Sequence, residues 1–228
     1  MSGTGAPTVP EARRDRLARL RGLYVIVGGR GAEAAAGQAR AALEGGAAVL
    51  QVRVKDAPAG EILRAAREVV ALAGGRALVI VNDRADLAVL AGADGVHVGD
   101  EDLPPAEARR VVGPDLLVGR TCRTAADARR ALDEGADHVG FGPMYVARAK
   151  VVDAPPRGLP ALRALAGELP APVVAIGGID LSNVGEIAGA GAACAAVISA
   201  VLDDPDPRAA AARLAAAFDA ARPGARAP

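Results

Sequence analysis

Charged and amide side chains gather at the ends of short apolar runs in this chain, and their grouping suggests chemistry on a polyanion. The run Ala48–Val54 ends in Gln51-Val52-Arg53-Val54-Lys55. Side chains alternate along a strand, so Gln51, Arg53 and Lys55 share one side while Val52 and Val54 take the other. Two cations and an amide on one side suit a phosphorylated ligand; the bland alternative is a strand whose last residues emerge into water. Asn82-Asp83-Arg84 follows the run Ala77–Val81, and Gly99-Asp100-Glu101-Asp102 follows Gly95–Val98. Asp83 and Asp102, placed after neighbouring strands, can share one hard cation, since Mg2+ commonly binds through one or two carboxylates plus phosphate oxygens and water. Each Asp alone also suits a helix cap, Asp102 before Leu103-Pro104-Pro105 above all. Ile176-Gly177-Gly178-Ile179 and Ile198-Ser199-Ala200 add bared backbone amides and a hydroxyl, which together make a phosphate cradle.

Composition sharpens the choice of residues. Of 27 basic residues only two are Lys, Lys55 and Lys150. In a chain so biased towards Arg, a retained Lys marks a place where a compact ammonium is wanted, unless it has merely survived on a solvated face. Acidic residues also number 27, so the formal charge is zero. That balance lacks the electrostatic footprint of a nucleic-acid binder. No apolar run approaches the roughly 18 residues of a membrane span, and the first 21 residues lack the apolar stretch of a secretory signal. Cys122 and Cys194 stand too far apart in sequence to suggest a disulfide framework or a zinc site. A cytoplasmic protein acting on small molecules is expected, without nucleic acid or membrane as partner, and with self-association left open.

Positioning these groups requires strands that end together. Leu23–Val27, Ala48–Val54, Ala77–Val81, Gly95–Val98, Leu116–Gly119, His138–Phe141, Val173–Ile176 and Ala195–Ile198 read as strands buried on both faces. Ala-rich amphipathic segments separate them. One, after Ala57, stops at Gly74-Gly75; another opens on Thr124 with Asp127 three positions on, a capping pattern. Asp180 is expected to open a further helix. A weak repeat, Gly46-Ala47-Ala48, Gly92-Ala93-Asp94, Gly135-Ala136-Asp137 and Gly191-Ala192-Ala193, marks every second strand. Eight alternations predict a single (βα)8 barrel of the α/β class over residues 22–221, with a leader at 1–21, helical around Glu11–Leu20, and a tail at 222–228. Barrel sites lie at the carboxyl ends of the strands, with the phosphate site usually after strands seven and eight. The longest connection, after Phe141, carries Arg148 and Lys150 and has the length of a lid.

Three other patterns carry less. Gly29-Arg30-Gly31-Ala32-Glu33-Ala34 fits a dinucleotide fingerprint, but the second strand ends in Arg53 and Lys55 where an acid is wanted. His97 and His138 fall inside buried strands and read as core. Cys122 has basic neighbours, yet an inert core thiol is the simpler reading.

Together these segments resemble the thiamine phosphate synthase family, whose close cousin is the thiazole tautomerase. The resemblance is carried by Gln51–Lys55, Val81-Asn82-Asp83-Arg84, Asp94-Gly95-Val96-His97-Val98-Gly99, Glu101-Asp102-Leu103-Pro104, Gly140-Phe141-Gly142-Pro143, Lys150, Ile176-Gly177-Gly178-Ile179 and Ile198-Ser199-Ala200. It implies a transferase that joins hydroxymethylpyrimidine diphosphate to thiazole phosphate. By position, Arg53, Lys55, Asn82 and Lys150 would bind the diphosphate, with Thr121 where the family has a Ser. Asp83 and Asp102 would hold Mg2+. Tyr24 and Gln51 would line the pyrimidine pocket, and Gly178, Ile198 and Ser199 the thiazole phosphate site. The chain departs from the family at Val54 (usually Glu), at Asp100 (often Gln) and in Val146-Ala147-Arg148-Ala149-Lys150, where two Thr are replaced by Ala147 and Ala149; Arg148 offers a substitute grip on phosphate. Arg123 stands where the tautomerase has its catalytic His. A paralogue that binds a phosphorylated heterocycle without turnover is the remaining alternative.

Overall fold

The computed structural model describes residues 9–29, 31–146 and 155–224. Eight parallel strands pair in sequential order and β8 closes on β1. They are β1 (Gly22–Val27), β2 (Val49–Val52), β3 (Leu78–Asn82), β4 (Gly95–Val98), β5 (Leu117–Cys122), β6 (His138–Phe141), β7 (Val173–Ile176) and β8 (Cys194–Val197). The helices are α1 (Glu11–Arg19), α2 (Ala32–Glu44), α3 (Ala59–Ala73), α4 (Ala85–Ala91), α5 (Pro105–Val112), α6 (Ala125–Asp133), α7 (Gly158–Glu168), α8 (Val184–Gly189), α9 (Ser199–Leu202) and α10 (Pro207–Ala221). The chain is thus the (βα)8 barrel its pattern predicts, and among the described residues no helix is long and apolar enough to cross a membrane.

Two apolar clusters follow from strand alternation. Tyr24, Ile26, Val49, Leu78, Ile80 and Leu117 point into the barrel. Their chain neighbours Leu23, Val25, Leu50, Val79 and Val118 point outward against the helices. Aromatics are scarce because the helices present alanine instead. The buried face of α2 is Ala32, Ala35, Ala39 and Ala42, at helical spacing, and so short a side chain lets the helix lie close on the sheet.

The weak repeat has a physical basis. Gly46, Gly92, Gly135 and Gly191 all have positive φ, ending a helix or its following turn before β2, β4, β6 and β8. Two residues on, the backbone N–H of Ala48, Asp94, Asp137 and Ala193 donates to Leu23, Val79, Val118 and Val173 of the preceding strand. Where the third residue is Asp, its carboxylate also accepts from a strand amide, Val79 N at 2.9 Å for Asp94 and Val118 N at 2.8 Å for Asp137.

Those aspartates also fasten α1 across the amino end of the barrel. Arg16 pairs with Asp94 at 3.0 Å and Arg13 with Asp137 at 3.5 Å, while Leu17 and Leu20 pack on the interior cluster. Part of the expected leader therefore plugs the barrel floor.

Boundaries differ from the sequence expectation where the site begins. β2 stops at Val52 and leaves Arg53–Lys55 beyond the strand, whereas β5 runs on to Cys122 and holds Arg120 and Thr121 within the sheet. Asp180 does not open a helix. Its amide donates to Asn183 Oδ1, its carboxylate accepts from Ser182, and α8 begins only at Val184. Nor does Asp102 cap α5, because Pro104 holds that position and the Asp102 carboxylate accepts from Gly99 N at 2.7 Å.

Candidate active site

A cavity of about 280 Å³ opens at the carboxyl ends of the strands. Inward-facing positions of successive strands line it, which is why residues far apart in sequence meet there. Its depth is apolar, with Ile26, Val174, Ile176 and Ala196; Tyr24, Gln51, Arg53, Asn82, Thr121 and Ile198 bring the polar and rim groups. Gln51 Nε2 donates to the Tyr24 hydroxyl at 2.9 Å, both side chains being buried. Burial pushes the Tyr24 phenol up, so it remains a neutral hydroxyl.

Lys55 and the two aspartates sit beside this mouth. Lys55 Nζ lies 3.2 Å from Asp83 Oδ2. Asp83 adopts a left-handed conformation (φ 63°), its amide donating to His97 O at 2.8 Å, a geometry that Asp tolerates better than most residues. Its carboxyl is pushed up, first by burial and then by Asp102 within hydrogen-bonding reach, against the pull of Lys55. Two carboxylates so close repel when both are ionised, and a hard cation between them removes that cost. Among the described residues no group of three or more His, Cys, Asp or Glu gathers at one point, so such an ion would complete its shell with substrate oxygens and water.

A second, polar cavity of about 400 Å³ adjoins the first and shares Thr121 with it. There Asp100 bridges Arg120 at 3.2 Å and Arg123 at 2.7 Å, tying the loop that carries Asp102 to the end of β5. Asp100 is the only local hint of this bridge, whose partners lie 20 and 23 residues further on.

Gly178 and Ser199 do not line the main cavity. Gly177 and Gly178 turn at φ 100° and 66° against Pro143 and Tyr145, where a Cβ on either would come within 2.8 Å of the opposing chain. Ser199 is exposed at the start of α9. Lys150, Arg148, Ala147 and Ala149 lie outside the described residues. His97 is the residue the sequence reading placed wrongly. It lines the cavity, its Nε2 lies 3.0 Å from Thr121 Oγ1, and it pairs across the sheet with Asn82, a register that no single segment of sequence carries. His138 is core as expected, fully buried. Burial also pushes the Cys122 thiol up to about 12 despite Arg120, which makes it inert.

A family model described as thiamine monophosphate synthase matches residues 23–201. The chain belongs to that family. It is 67% identical to a thiamine-phosphate synthase of Anaeromyxobacter dehalogenans over 207 residues, covering 91% of this chain and 92% of the relative. A thiamine-phosphate synthase of Myxococcus xanthus is 48% identical over 79% of this chain and 84% of its own length. Among solved structures, a thiamine phosphate pyrophosphorylase from Pyrococcus furiosus superposes with a TM-score of 0.81 at 35% identity, over 90% of this chain and 98% of that one. The family match runs from residue 23, in β1, past the end of β8, and so includes the strands that form the cavity.

Proposed function

We infer that this enzyme condenses hydroxymethylpyrimidine diphosphate with thiazole phosphate, giving thiamine phosphate and diphosphate. The observation that carries the reading is the composition of the cavity: an apolar depth sized for one heterocycle, with Arg53 and Asn82 on its lining and Lys55 beside its mouth. Gln51, held by Tyr24, presents an amide to the pyrimidine, whose amino group supplies electrons to the adjacent methylene as the diphosphate departs. That internal electron supply removes the need for a protein nucleophile. Arg53 and Lys55 place fixed positive charge where negative charge grows on the leaving group, in a site they need not reorganise to stabilise it. Thr121 would add a hydroxyl, and Lys150, outside the described residues, is proposed as a further ammonium on the diphosphate.

Asp83 and Asp102 are the residues that would hold Mg2+, and their mutual repulsion fits them for it. When bound, the ion neutralises charge on the diphosphate oxygens. Gly178, Ile198 and Ser199 would receive the thiazole phosphate after β7 and β8, where barrels commonly bind phosphate. A formal charge of zero supports small-molecule substrates over nucleic acid, and the enzyme is expected to work in the cytoplasm, with a homo-oligomer as its open alternative to a monomer. The test is an assay with both substrates and Mg2+. Thiamine phosphate formed by the wild type and lost in Asp83→Ala supports the reading, whereas tight ligand binding without product identifies a binding-only paralogue.

A further inference from the structure

His97 and His138 lie side by side on the inner wall of the barrel, ring centroids 5.8 Å apart. Glycines make that possible. A Cβ on Gly119 would stand 2.2 Å from His138 Nε2 and 2.5 Å from His97 Nδ1, and one on Gly140 3.0 Å from His97 Cε1. The His97 ring is therefore held in a slot with one edge towards the cavity, and its Nε2 meets Thr121 Oγ1 at 3.0 Å. Its Nδ1 is buried with no hydrogen-bond partner among the described residues.

A neutral imidazole carries one N–H, on one nitrogen or the other. At neutral pH an imidazole of ordinary pKa, about 6.5, is mostly in its neutral form. A proton on Nδ1 would bury an N–H with nothing to receive it. On Nε2 it reaches Thr121, and Nδ1 keeps only an unpaired acceptor, the less costly omission. Once Thr121 Oγ1 accepts from His97, the hydroxyl's own proton must turn elsewhere. Thr121 lines the same cavity as Arg53 and Asn82, so that proton has the substrate site before it.

We propose that His97 is a positioning residue: as the Nε2–H tautomer it donates to Thr121 and thereby makes the Thr121 hydroxyl a donor to the substrate's phosphate oxygens. The second half rests on the synthase reading; the tautomer does not.

The experiment has two arms. Nitrogen NMR of the 15N-labelled full-length protein reads the tautomer directly, because His97 and His138 are the only histidines, and His138→Met assigns the signals. A protonated Nε2 and a bare Nδ1 on His97 are expected at neutral pH, and the opposite pattern overturns the proposal. In the assay, Thr121→Val and His97→Leu are each expected to lower kcat/KM by about tenfold to a hundredfold, the range for losing one hydrogen bond to a charged group. The double variant should be no worse than Thr121→Val alone, and His97→Gln, which keeps an N–H donor, should regain most of the loss. Losses that multiply in the double variant overturn the proposal. A wild type that makes no thiamine phosphate refutes the synthase reading instead, and the NMR arm still decides the tautomer.

Discussion

Acid should destabilise this barrel well above the range where carboxylates titrate, and His138 is the reason. Its ring is fully buried, both nitrogens lack a hydrogen-bond partner among the described residues, and His97 lies beside it. Burial first, and His97 second, pull its pKa from 6.5 down to about 3. A depressed folded pKa gives stability that is complete above the unfolded value and is lost as pH falls, because the unfolded chain takes up the proton first. The loss is about 1.4 kcal/mol per pH unit below 6.5, so roughly 2 kcal/mol by pH 5. For a chain of this length that corresponds to a fall in Tm of about 4–8 °C. His97 acts in the same direction, but its cavity-facing edge is screened by water and its share is smaller. Asp83, whose folded pKa is raised, acts in the opposite sense, while Asp86 and Asp127, whose pKa values are lowered, lose their contribution only at still lower pH. Urea unfolding of the wild type and of His138→Met at pH 7 and pH 5 isolates the effect. The wild type should lose about 2 kcal/mol more than the variant over that interval. At pH 7 the variant should be near neutral in stability, because removing two unpaired buried nitrogens offsets the change in shape. Equal pH dependence in the two proteins would mean that His138 does not set the acid sensitivity.

Other perturbations address the remaining parts of the molecule. Asp83→Asn should abolish the Mg2+ dependence of thiamine phosphate formation and lower the rate by about a hundredfold or more, on the scale of losing a preorganised charge-stabilising group; isothermal titration with Mg2+ and diphosphate checks the binding half. Lys55→Met should raise KM for the pyrimidine diphosphate while leaving KM for the thiazole phosphate unchanged, as steady-state kinetics with each substrate varied would show. Asp94→Ala removes both the Arg16 ion pair and the acceptor of Val79 N–H; a loss of about 1–3 kcal/mol is expected in urea, and a loss below ~0.5 kcal/mol would mean that α1 is not fastened this way. Cys122 and Cys194 are buried with thiol pKa values raised by that burial, so neither should react with a thiol reagent until the protein unfolds.

The architecture was legible because its signals are local and repeated. Near-continuous β-branched runs, Ala-faced helices and a left-handed glycine before every second strand each recur around the barrel, and errors at single boundaries do not disturb the count. The site was legible only in part, for reasons that differ by residue. Gln51 lies in β2, and Arg53, one residue past its end, keeps the strand pairing by donating its amide to Val27 O, so alternation sets the side that both face. Asp83 does not obey it: its left-handed φ comes from a backbone turn after β3, and what sets its chemistry is Asp102, a residue on another loop. Asp102 looked like a helix cap because the residues after it are a helix start; the carboxylate instead folds back on Gly99. His97 misled most, since a histidine inside a buried strand is usually core, and His138 shows that rule holding one strand pair away. What separates the two is their other neighbour in the sheet. Register sets both opposite Gly119, but His97 also pairs with Asn82, which lines the cavity, whereas His138 is fully buried and does not reach that wall. Register between strands is a long-range property, absent from any single segment, so residue type and local pattern were identical inputs for one histidine that meets the ligand cavity and one that never does.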